Sequence, residues 1–221
     1  MTDGKHSKPA VDSPWIRTLR YCLFIWPALF SFAGILLLLP LVGISGPEVL
    51  ALLARLYIVG LLLLVVLAVV IPVLLYLDGT EVRAAPAEWS PSLVLYAVVG
   101  FFFSYLALID YLYKRFRYTV MPDEHPRWVY GVAFATVLSV GAASSFVLVW
   151  PLTFGLSLLA MGILPICLYM DAAHVAAADG EWSPNPTTYF SGAFFGTVLV
   201  VVPPLLAGYY LLKRHRHHRT P

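Results

Sequence analysis

The sequence predicts an all-α, polytopic transmembrane bundle of six helices, arranged as two three-helix units related by inversion. Three observations predict it. The chain has 221 residues, of which 60% are hydrophobic and 12% charged. An ordinary soluble domain carries about 25% charged residues, and a water-soluble fold of this size could not hide so much apolar surface. Long apolar runs recur at the spacing of membrane crossings. Finally, a stretch from the first half of the chain returns in the second.

Residues 1–20 form a polar N-terminal tail with Lys5, Lys8, Arg17 and Arg20. The apolar run that follows is longer than the h-region of a cleaved signal peptide, and no small-residue cleavage site succeeds it, so it reads as an uncleaved first crossing. A helix needs about 20 apolar residues to cross the hydrocarbon core. Six segments qualify: 21–43, 50–77, 92–113, 128–150, 152–171 and 187–212. They must be helical, because backbone groups in lipid are satisfied within the segment. A barrel strand would alternate apolar and polar residues, whereas these segments are apolar all round.

The breakers between 44 and 48 make a compact turn. The span 128–171 is too long for one crossing even with tilt, so a hairpin is expected at Trp150-Pro151. Trp15, Trp89, Trp128, Trp150 and Trp182 fall at helix ends, where indole rings prefer the interface. Pro27, Pro40, Pro72, Pro165 and the pair Pro203-Pro204 should bend their helices, as packing kinks or, as in some transporters, as broken helices around a site. The small-residue patch Gly141-Ala142-Ala143-Ser144-Ser145 suits close helix packing. Cys22 and Cys167 lie in apolar segments and read as small buried hydrophobes.

The most specific signal is the duplication. Pro72 to Tyr96 (PVLLYLDGTEVRAAPAEWSPSLVLY) aligns without gaps to Pro165 to Tyr189 (PICLYMDAAHVAAADGEWSPNPTTY), with 12 of 25 positions identical. The matches include Asp78/Asp171, Glu88/Glu181, Trp89/Trp182 and Pro91/Pro184, which shared apolar composition would not bring into register. Each copy ends alike, Tyr111 to Arg117 (YLYKRFR) and Tyr210 to Arg216 (YLLKRHR). The units are 21–117 and 118–212, followed by a basic tail at 213–221. Three crossings is an odd number, so the second unit should be inverted about an axis in the membrane plane. The distribution of Lys and Arg places both termini in the cytoplasm. Inversion then forces the basic loop 114–127 outside, against the same rule.

Asp78, Glu88 and Trp89, with Asp171, Glu181 and Trp182, are the candidate polar positions. E-W-S-P reads as a helix start plus an interfacial anchor. The Asp residues, at unfavourable helix ends, are expected to accept bonds from loop backbone or from the tyrosines. Alternatively, Asp78 and Glu88 line a polar vestibule on one side and Asp171 and Glu181 another on the opposite side. Asp171 and His174 share a helix face, but the first copy has Glu81 in place of the histidine, which does not support a shared metal site. Asp110 can reach Lys114 at i+4. Lys114, Arg115, Arg117, Lys213, Arg214 and Arg216 are expected to hold anionic lipid headgroups. No continuous basic face is available for nucleic acid, and no nucleotide, hydrolase or metalloprotease motif occurs. No cofactor is expected.

The pattern P-x-x-L-Y-[LM]-D…E-W-S-P…Y, closing in Y-L-[YL]-K-R-x-R, resembles a group of small uncharacterised membrane proteins of halophilic archaea, here with the unit duplicated. The resemblance implies a plasma-membrane location and no assigned activity. The function expected is a non-catalytic structural or partner-binding membrane component, in contact with lipid and with a protein partner or further copies of itself. The alternative is a small transporter or channel, which requires polar side chains converging near mid-bilayer.

Overall fold

A computed structural model describes residues 9, 11, 13–44, 46–119, 127–145, 150–178, 182–197, 199 and 201–218. Among them lie eight α-helices: α1 (Pro14–Leu38), α2 (Pro47–Ala84), α3 (Leu93–Phe102), α4 (Ser104–Tyr118), α5 (Trp128–Ser145), α6 (Trp150–Ala177), α7 (Pro186–Gly196) and α8 (Val202–His218), with a 3-10 turn at Leu39–Val42 after α1. No strand occurs among the described residues. Ser13 caps α1, its side chain accepting from the Trp15 N–H. The turn before α2 uses Gly43 and Gly46 at positive φ, where a side chain would be strained. Pro27, Pro72 and Pro165 stay inside their helices. Four helical stretches are long and apolar enough to cross a membrane, in α1, α2, α5 and α6.

The third and sixth segments are not single crossings. Each breaks into two helices that fold back on one another. In a continuous helix Tyr96 and Asp110 would stand about 21 Å apart along the axis. Instead the Tyr96 hydroxyl donates to Asp110 Oδ2 at 2.7 Å. Outgoing α3 runs antiparallel to α2, with Gly79 against Leu93 and Gly100 against Pro72. Returning α4 runs antiparallel to α1: Tyr105 donates to the Leu23 carbonyl, and Arg115 donates to the Val11 carbonyl. At the break Phe103 keeps both of its own backbone bonds, its N–H to Val99 O and its C=O from the Ala107 N–H. In the second copy, Tyr189 and Tyr210 pack ring to ring at 4.8 Å across α7 and α8. There Pro203-Pro204 opens the returning helix, where missing N–H donors are least costly.

This changes the topology. Each copy has two long helices and one hairpin, so each ends on the side where it began. The copies are parallel, not inverted. Asn185, at the start of α7, donates to the Tyr113 carbonyl at 2.9 Å, and the Phe116 and Tyr169 rings sit 5.6 Å apart. Equivalent ends of the two units therefore meet at one end of the molecule. The span 128–171 is two antiparallel helices as its length requires, with Gly131 against Cys167 and Thr153 bonded to Ser145, but Trp150 and Pro151, expected at the turn, instead open α6.

The units join chiefly through α1 and α6. Gly34 meets the backbone of Gly155 and Leu159, and Gly162 meets Pro27 and Ser31. Small residues at such a crossing let the backbones approach. Beside it, the space between units is filled by Phe24, Phe30, Tyr105, Phe116, Tyr169, Phe190 and Phe194, in edge-on, tilted and stacked contacts of 5.3–6.5 Å.

Candidate functional site

The duplicated residues assemble into two copies of one side-chain cluster. In the first, α2 supplies Asp78 and α4 supplies Tyr111, Arg115 and Tyr118. These α4 residues, spaced four and three apart, share one helix face. Tyr111 Oη donates to Asp78 Oδ2 at 2.6 Å. Arg115 grips both carboxylate oxygens, Nε to Oδ2 at 2.9 Å and Nη2 to Oδ1 at 3.3 Å. Its Nη1 donates to Thr119 Oγ1 and its Nη2 also to the Val11 carbonyl. Asp78 and Arg115 are both 0% exposed. The two-point guanidinium–carboxylate geometry is the strong form of this contact. It is needed here, because isolating either charge from water costs several kcal/mol. Trp89 covers the cluster, packed on Tyr96, Tyr111 and Tyr118 at 5.4–6.3 Å.

The second copy repeats the plan. Tyr210 Oη donates to Asp171 Oδ2 at 2.7 Å, and Arg214 Nε lies 3.0 Å from the same oxygen. Trp182 packs on Tyr189 and Tyr210 at 6.4 and 5.5 Å, and His217 stacks on it at the position of Tyr118. The copies differ in enclosure. Arg115 is sealed by Val11 and Thr119, whereas Arg214 keeps 15% of its side chain exposed and borders an open cavity with Val129, Leu211 and His215.

Both clusters lie at the same end of the bundle. Neither Asp closes its helix: α2 runs on to Ala84 and α6 to Ala177. Asp78 and Asp171 are enclosed and line no vestibule. Glu88 is exposed, and Glu181 lies outside the described residues. Trp89 and Trp182 serve as lids on the clusters. The E-W-S-P segments precede their helices, which begin at Leu93 and at Pro186; in the second, Asn185 supplies the cap.

Of the expected headgroup residues, Arg115 is corrected to a buried partner of Asp78, and Arg214 is turned inward to Asp171. Their sequence neighbours point out. Arg117 and Arg216 are exposed. Lys114 bonds Asp110 at 2.8 Å, and Lys213 lies over the Trp182 and Tyr209 rings, a cation–π placement. The functional sequence signal that hydropathy missed was the recurring i, i+4 pair of Tyr and Arg, combined with a recurring Asp. Among the described residues no group of three or more metal-ligating side chains forms. The chain matches no protein-family model, and no curated protein or solved structure is found similar to it.

Proposed function

We propose that this chain is a non-catalytic structural or partner-binding component of the plasma membrane, with both termini and both charge clusters on the cytoplasmic side. The observation that carries the reading is how the polar groups are used. Asp78, Tyr111 and Arg115 satisfy one another internally; in the second copy Tyr210 donates to Asp171, and Arg214 is held beside it as an ion pair at 3.0 Å without an aligned hydrogen bond from its Nε. The boundary between units, where a conduit would run, is filled by aromatic rings. The orientation rests on charge. Arg17, Arg20, Arg83, Lys114, Arg117, Arg127, Lys213 and Arg216 fall at the cluster end of their helices, whereas Arg55 lies 23 residues before Asp78, about 35 Å away along α2. That asymmetry is the positive-inside signature, and the parallel arrangement removes the conflict that inversion imposed on the loop 114–127.

The test is flux through proteoliposomes carrying the full chain, with potassium, protons and a panel of small solutes. Rates equal to protein-free vesicles are expected. Saturable uptake abolished by substituting Tyr105 or Phe194 would replace this reading with the transporter. In native membranes, cross-linking should return the chain in one reproducible complex, with a protein partner or with further copies of itself.

A further inference from the structure

The two hairpins differ in a way their shared plan does not require. In the second, α7 and α8 close on each other: a Cβ on Gly192 would meet Leu206 at 2.9 Å, and one on Gly196 would meet Val202 at 2.6 Å. The aligned positions in the first hairpin are Val99 and Phe103. Both side chains line a groove of about 610 Å³ along the first hairpin. That volume falls within the usual range for small-molecule sites, about 300–1,000 Å³.

The groove is graded in polarity. Towards the bend it is walled by Val99, Phe103 and Leu106, and towards its mouth by Trp89, Leu95, Tyr96, Asp110 and Lys114. Leu95, Phe103 and Leu106 are more than half exposed, so it opens sideways, towards lipid. The ten residues of α3 reach about 15 Å, half the hydrocarbon core, so the groove has the depth of one leaflet. At the mouth, Lys114 Nζ donates to Asp110 Oδ2 at 2.8 Å and to Tyr96 Oη at 3.2 Å. An ammonium has three donors, and the third is left for a group outside the hairpin.

From the lipid-facing groove along the arms and the lysine set at its mouth, we infer that the first hairpin binds one phospholipid, with an acyl chain along α3 and α4 and the phosphate on Lys114. The second hairpin, closed by its glycines, does not. The site is independent of whether the chain conducts solute.

The experiment uses the purified full chain and a phosphatidylglycerol with a diazirine at the end of one acyl chain. Cross-links should concentrate on residues 95–107, above the labelling of the lipid-facing α2 stretch around Leu62 and Val66. Lys114→Gln should lower that labelling about tenfold, as loss of one charge-assisted hydrogen bond implies, and Val99→Trp should abolish it. Even labelling over α2 and the hairpin, or labelling unchanged in Lys114→Gln, would overturn the assignment. Should Val99→Trp fail to fold, the wild-type chain decides with a diazirine diacylglycerol lacking phosphate: weaker hairpin labelling than by the phospholipid supports the site, and equal labelling overturns it.

Discussion

Asp78 and Arg115 hold each other inside the bundle at 0% exposure, and that sets what single substitutions must do. Removing one partner strands the other charge, so Asp78→Leu or Arg115→Leu should each cost about 3–5 kcal/mol. The double variant should recover much of the loss. Reversible unfolding in mixed detergent measures all three, and additive losses would contradict a direct pair. Tyr111→Phe removes one hydrogen bond to the carboxylate and should cost less, about 1.5–3 kcal/mol. The same changes at Asp171 and Arg214 should be milder, because Arg214 is partly exposed and water screens what remains. These residues were legible as a recurring set, but not their direction. A basic run at a helix end looks like a headgroup anchor. Only the spacing of Tyr111 with Arg115, repeated in Tyr210 with Arg214, separates the inward arginine from Lys114 and Arg117 beside it.

Among the elements, the long helices followed from hydropathy and length, and the hairpins did not. Nothing in the composition of 92–113 interrupts an apolar run at Phe101-Phe102-Phe103. The fold-back comes from contacts distant in sequence: Gly79 and Gly100 seat α3 against α2, and Asp78 draws α4 back through Tyr111 and Arg115. One local clue existed. A straight crossing would have put Trp89 and Tyr118 at opposite faces, yet the repeat supplies an aromatic ring at both positions in each copy, and they stack, at 6.2 Å in the first and 5.8 Å in the second. The α1–α6 crossing is the other element on which the fold leans. A Cβ on Gly162 would collide with the Pro27 carbonyl and Ser31. Gly162→Leu should therefore separate the units: thermal aggregation should begin well below wild type, whereas Gly208→Ala, with open space around it, should leave it unchanged.

For the whole molecule, the duplication was legible in the sequence and its symmetry was not. Counting three crossings per copy made inversion unavoidable and stranded a basic loop on the wrong side. Two long helices plus a hairpin per copy make the units parallel, as in repeats related by an axis along the membrane normal. The positive charges then gather at one end without exception but Arg55 among the described residues. Topology is where this can fail most directly. In a chain with Cys22 and Cys167 replaced, single cysteines at Arg117, Arg216 and Phe102 can be probed in sealed right-side-out and inverted vesicles with a membrane-impermeant maleimide. Positions 117 and 216 should both react only from the cytoplasmic face, and position 102, at the hairpin tip, from neither. Reaction of 117 from the face opposite to 216 would contradict the parallel arrangement and restore the inverted one.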